Sequence, residues 1–166
     1  MTSDIPGALA PIRRYRPADW EQIPDLGLYM DQVVTFITRI YAPLYGDDIH
    51  GFLSPSMINN YVKGKLIPRP TGKKYSREQI ALLTMIVALK QTSSMEDIRR
   101  MLTPRDGESV EALYAAFNLR FNHVIQSLCG EGGAVPSPAS ALDFAILASA
   151  YSACSAAMLK SEAAVQ

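Results

Sequence analysis

The chain has 166 residues, 48% of them hydrophobic, enough for one domain, or one domain with an attached subdomain. Its 16 basic and 16 acidic side chains cancel, which excludes binding of polyanions through overall charge and leaves only local patches to do so. Cys129 and Cys154 stand alone, with no C-x-x-C pair and no His at ligand spacing, which argues against a disulfide framework or a metal site and for a reducing cytoplasm.

Residues 1–24 carry Pro6, Pro11, Pro17 and Pro24 with little periodicity. They are expected to form an extended arm that includes the basic run Arg13 to Arg16. No basic region with a following apolar run occurs there, so no secretory signal is expected. From Asp25 to about Ala42, Leu28, Val33, Ile37 and Ile40 recur at helical steps, and Pro43 is expected to end that helix. A loop with Asp47 and Asp48 follows.

Ser54 is a good N-cap, with Pro55 at the first helical position, where a missing N–H costs nothing. The predicted helix runs to Gly64, which can close it in the left-handed conformation. Met57, Ile58, Tyr61 and Val62 form its apolar side; Ser56, Asn59, Asn60 and Lys63 form the other. The stretch "PRPTGKK" cannot be helical and suits a short two-stranded ribbon. Ser76 with Gln79 makes a capping box for a helix to about Lys90 that is apolar over most of its circumference, hence central and buried. Ser93 with Glu96 reads as a second capping box, opening a short helix ended by Pro104. From Glu108 to Leu128, Val110, Tyr114, Phe117, Phe121, Val124 and Leu128 keep the spacing of helix-on-helix packing. A Gly/Pro break leads to a last helix, about residues 139–160, built mostly of Ala and Ser. Its apolar run reads as a packed helix and not as a membrane span.

Charge is unevenly spread. Residues 60–105 hold ten Lys and Arg against three acids, while the segments on either side are net acidic. The order of capped helix, basic turn, buried helix and short helix fits a helix-turn-helix with a wing. Asn side chains on a helix can bond both edges of adenine in the major groove. Cations on a wing can meet the adjacent phosphates and release counterions.

The run from Ser54 to Leu102 is similar to the DNA-binding half of MerR-type regulators, in "GKLIPRPTGKKYSREQIALL" and "SSMEDIRRML". More closely, "LYMDQV", "MINNYVKGKLIP", "KKYSREQIALL" and "EDIRRML" resemble an uncharacterised bacterial family, domain of unknown function family 1836. The resemblance covers most of residues 25–130 and implies a DNA-binding role. It departs from MerR in Asn59-Asn60-Tyr61, in a wing shortened around Gly72, and in the long loop at residues 43–53. Carried over, groove-facing roles fall to Ser56, Asn59, Asn60 and Lys63. Phosphate roles fall to Lys65, Arg69, Lys73, Lys74, Tyr75 and Arg77.

The expectation is therefore a mainly α chain in three parts: an arm (1–24), a MerR-like winged helix-turn-helix core with a small β-ribbon wing (25–105), and two C-terminal helices for dimerisation or effector binding (106–166). The expected function is sequence-specific binding of double-stranded DNA in the cytoplasm, as a homodimeric transcriptional regulator. The alternative is a module whose basic face docks an acidic protein partner or that binds an effector. His50 and His123 are the only histidines and lie far apart; no nucleophile motif, nucleotide loop or ligand cluster occurs. No catalytic role, cofactor, metal or membrane partner is expected.

Overall fold

The computed structural model describes residues 5–164. The single turn α1 (Ile5–Ala8) precedes six longer helices: α2 (Met30–Tyr45), α3 (Pro55–Lys63), α4 (Arg77–Leu89), α5 (Met95–Leu102), α6 (Val110–Leu128) and α7 (Ala141–Ala164). Short 3-10 turns occupy Ile12–Arg14, Trp20–Gln22 and Gly46–Gly51.

α4 is the axis of the fold. From Gln79 to Leu89 every residue but Leu82 is buried. This follows from a helix that is apolar all round, which is stable only when surrounded. Ser76 starts it: its Oγ accepts the Gln79 N–H at 3.3 Å, and Gln79 Oε1 accepts the Ser76 N–H at 2.7 Å. α5, α6 and α7 pack on α4. α2 is tied to it by the buried Tyr41 hydroxyl, which donates to the Thr84 carbonyl at 2.7 Å. Pro43 lies inside the last turn of α2 and does not stop it; the helix ends at Tyr45, before Gly46.

The expected β-ribbon wing is corrected here, and with it the winged helix-turn-helix. Among the described residues there is no strand, only two isolated antiparallel bridges, Thr71 to Lys74 and Leu28 to Tyr75. The reason lies in the backbone donors. Pro68 and Pro70 have no N–H to give a ladder. Tyr75 spends its N–H and carbonyl on Leu28, at 2.8 and 3.0 Å, and not on a hairpin partner. Ser76 already caps α4. What remains is a two-residue turn with Gly72 at φ +57° and Lys73 at φ +63°.

Of the expected arm, residues 1–4 lie outside the described residues. The rest is bound to the body: Leu9, Ile12, Tyr15 and Ile23 are buried. The Tyr15 ring stacks on Tyr41 at 6.0 Å and meets the Phe121 ring edge-on at 5.6 Å. The Ala18 carbonyl accepts from Tyr114 Oη and Asn118 Nδ2, both at 2.8 Å. Arg13, in the basic run, donates to the Cys129 carbonyl at 3.1 Å. The α5 cap is Ser94, one residue later than expected, whose Oγ accepts the Asp97 N–H at 3.1 Å.

α6 buries Tyr114, Phe117, Phe121 and Val124, as its spacing requires, together with Leu113, Asn118 and Ile125. After it the chain doubles back, so that α7 begins beside the middle of α6. There Asp143, buried, pairs with Arg120 and accepts the Ala139 N–H at 2.9 Å. By length and composition alone α7 could cross a membrane, with a mean hydropathy of 1.5 over its best window, of which 28% is buried. In the fold it packs against α1, α2, α4 and α6. Ser149, fully buried, donates to the Ala88 carbonyl at 2.9 Å.

Two outcomes follow. Tyr15→Ala should lower unfolding free energy by about 3–5 kcal/mol, read from urea midpoints, because it empties an aromatic site in the core. Asp143 is the pH-sensitive member. Burial raises its pKa, but the Ala139 N–H, Arg120 and Ser140 outweigh that and hold it below the ordinary value. Its charged form therefore stabilises the fold above about pH 4, and this is lost as pH falls through the lower folded value. Asp143→Asn should cost about 1–3 kcal/mol at pH 7 and less at pH 3, in urea unfolding at both.

Candidate nucleic-acid interface

α3 presents the face anticipated for it. Ser54 Oγ accepts the Met57 N–H at 3.2 Å and fixes the start. Ile58 and Tyr61 are buried, which seats the helix and turns Ser56, Asn59, Asn60 and Lys63 to solvent, where all four are exposed. Tyr61 is core, and its burial raises its pKa.

The end of α3 differs from expectation. Gly64 is not left-handed; its φ is −76°. A Cβ there would come 2.6 Å from Met95 Cε and 3.2 Å from the Asn60 carbonyl oxygen, so a larger residue would require the Met95 end to shift. The left-handed residue is Lys65, at φ +58°. Its N–H bonds the Val62 carbonyl at 3.1 Å, and the Leu66 N–H bonds the Tyr61 carbonyl at 2.9 Å. This is the Schellman closure, with Lys where Gly is usual. The Gly64 carbonyl accepts from Arg99 Nη2 at 2.7 Å, so α5 holds the end of α3 in place. Nothing in the sequence pattern singled out Arg99 for this.

Beyond it the chain carries Arg69, Lys73 and Lys74, all exposed. Gln79 Nε2 donates to the Pro68 carbonyl at 3.0 Å and anchors the segment to α4. Lys74 Nζ lies 5.2 Å from the centre of the Tyr29 ring. Gly27, at φ +74°, lets the Lys74 stem come close, since a Cβ there would be 3.2 Å from Lys74 Cβ. Sequence reasoning missed Tyr29 and Gly27, whose role depends on a contact between residues far apart in the chain. Five ion pairs occur among the described residues, and none involves Lys63, Lys65, Arg69, Lys73 or Lys74.

Two residues assigned to phosphate have other partners. Tyr75 is buried, at 3% exposure, and its ring belongs to the core. Burial raises its pKa. Arg77 is a structural clamp: Nε donates to the Ile23 carbonyl at 2.8 Å, Nη2 lies 3.9 Å from Asp25, and the guanidinium sits 5.6 Å from the Trp20 ring centre. The remaining eight assigned residues are exposed and run from Ser56 to Lys74.

This stretch falls inside a match to the family described as Domain of unknown function (DUF1836), over residues 18–117. The chain belongs to that family. No curated protein and no solved structure matches it. The DUF1836 match begins in the bound N-terminal segment and ends within α6, so α7 lies outside it.

If Arg77 works as a clamp, Arg77→Ala should lower unfolding free energy by about 1.5–3 kcal/mol in urea titration. It should leave the salt dependence of any polyanion binding unchanged, which a phosphate-contacting arginine would not.

Proposed function

We propose that this chain binds double-stranded DNA through α3 and the turn that follows it, as a sequence-specific regulator of transcription. One observation carries the reading. Among the described residues only two non-glycine positions have positive φ, and both are lysines of this surface, Lys65 and Lys73. A side chain in that conformation costs about 1–2 kcal/mol relative to glycine. Strain of this kind persists where the surrounding structure imposes it, and it clusters at functional sites. Both lysines belong to the exposed stretch that also carries Lys63, Arg69 and Lys74, and none of the five forms an ion pair among the described residues. Cations so placed suit a phosphate backbone, while Asn59 and Asn60 on α3 supply donors and acceptors for base edges. The residue order, similar to that of MerR-type regulators, supports the same reading without a wing.

The test is fluorescence anisotropy with labelled duplexes across a salt series. With about five phosphate contacts the log–log slope should be near −4.5. The double variant Lys65→Gly/Lys73→Gly should melt higher than wild type, because strain is relieved. It should also bind DNA more weakly and flatten the slope by about two. Asn59→Ala should reduce the preference for a selected sequence over random DNA. A variant that gains stability and keeps its affinity would refute the assignment. A shallow slope with fixed stoichiometry would indicate a docked acidic protein instead.

A further inference from the structure

α7 leaves one long face without a partner among the described residues. On it lie Phe144, Ala148, Tyr151, Ser152, Ser155 and Leu159, all exposed. These positions fall within one stripe of a 3.6-residue helix. Phe144, Tyr151 and Leu159 are 63%, 53% and 63% exposed, and Leu119 of α6 is 77% exposed. Leu119, Phe144 and Ala148 line the same open groove, which polar residues such as Arg120 and His123 also line.

The order of side chains along this stripe selects the occupant. A two-fold interface must be complementary to itself. Consider two copies of α7 antiparallel, with the axis between Tyr151 and Ser152. Phe144 then meets Leu159 of the partner subunit, a large apolar pair at each end. Ala148 meets Ser155 of the partner subunit, a small pair that lets the axes approach. Tyr151 meets Ser152 of the partner subunit, a large ring over a small residue. Glu162, exposed near the end of α7, meets Ala141 of the partner subunit, the first residue of that helix. A carboxylate at a helix N-terminus is favourable, so the charge matches as well as the shape. The four large side chains offer roughly 500 Å² at their exposed fractions, given about 150–250 Å² for a large ring. With the small residues between them the face approaches the roughly 800 Å² per partner of a standard interface. The serines on this face, and the packing of the opposite side on α1, α2, α4 and α6, fit a protein partner and not lipid.

We infer that α7 pairs with a second copy of itself, antiparallel about a two-fold axis between Tyr151 and Ser152. This does not rest on DNA binding, and its test contains no DNA. Sedimentation equilibrium at tens of micromolar should give a dimer for the full chain. Tyr151→Glu, checked for folding by circular dichroism, should weaken self-association by at least about 30-fold, the size of one hot-spot loss. The double variant Phe144→Cys/Leu159→Cys should form a covalent dimer under mild oxidation. Wild type, with Cys129 and Cys154 alone, and each single variant should not. A monomeric wild type, a Tyr151→Glu dimer of unchanged strength, cross-linking in a single variant, or a monomer captured by phosphatidylcholine vesicles would each overturn the pairing.

Discussion

The structure depends on the enclosure of α4. A helix with almost no polar face gains stability only where other elements cover it on every side. That requirement recruits α2, α5, α6 and α7. It also explains why the buried hydroxyls of Thr84 and Ser149 are both hydrogen-bonded. Thr84 donates back to the Ile80 carbonyl at 2.8 Å while its own carbonyl accepts from Tyr41. Ser149 of α7 is consumed by the Ala88 carbonyl. In so dry an interior an unmatched donor would cost about 1–3 kcal/mol, so these bonds fix which faces of α2 and α7 can point inward. The basic surface is a by-product of the same constraint: the residues that cannot enter the core are displaced to its edge.

Charge and conformation are coupled on that edge. Two lysines hold backbone angles that glycine would take without cost; of the glycines next to them, Gly72 shares the positive φ of its turn and Gly64 does not. Gly64 makes room for Met95, and Gly27 makes room for Lys74. Small residues have been placed for contact and long cations for presentation. Of the nearby acids, Asp25 faces Arg77 and Glu96 pairs with Arg99 at 2.6 Å, while Glu78 lines the same hollow as Arg69 and Lys74 without pairing with either. The neutrality of the whole chain therefore coexists with a basic stretch, Lys63 to Lys74, whose cations form no ion pair among the described residues.

Much of this was legible before any coordinates. Ser54 and Ser76 declare their helices because a hydroxyl three residues before a free N–H is a local event. The α6 stripe declares its buried side because periodicity is local too. What stayed hidden depends on distant partners. Ile12 and Tyr15 sit among prolines without a period, so their burial under Tyr41 and Phe121 left no trace in the pattern. The Thr71–Lys74 turn has hairpin residues, but whether strands flank it depends on Leu28 competing for Tyr75. Gly64 looked like the left-handed residue because glycine is the default there, but the closure falls one residue later, at Lys65, where the Leu66 N–H reaches the Tyr61 carbonyl. Tyr75 and Arg77 were misplaced for the opposite reason. A tyrosine and an arginine next to a basic turn carry the chemistry of a phosphate contact, yet both are drawn inward by groups from residues 20–28.

The clasp between α3 and α5 has a consequence for recognition. The Arg99 guanidinium on the Gly64 carbonyl ties the C-terminal end of α3 to α5 and restrains its swing. Whatever α3 meets, it meets as a pre-organised shape. Little conformational entropy remains to be surrendered on association, so a loose fit cannot be rescued by adaptation. Under the proposed reading, selectivity would then reside largely in geometry set when the chain folds.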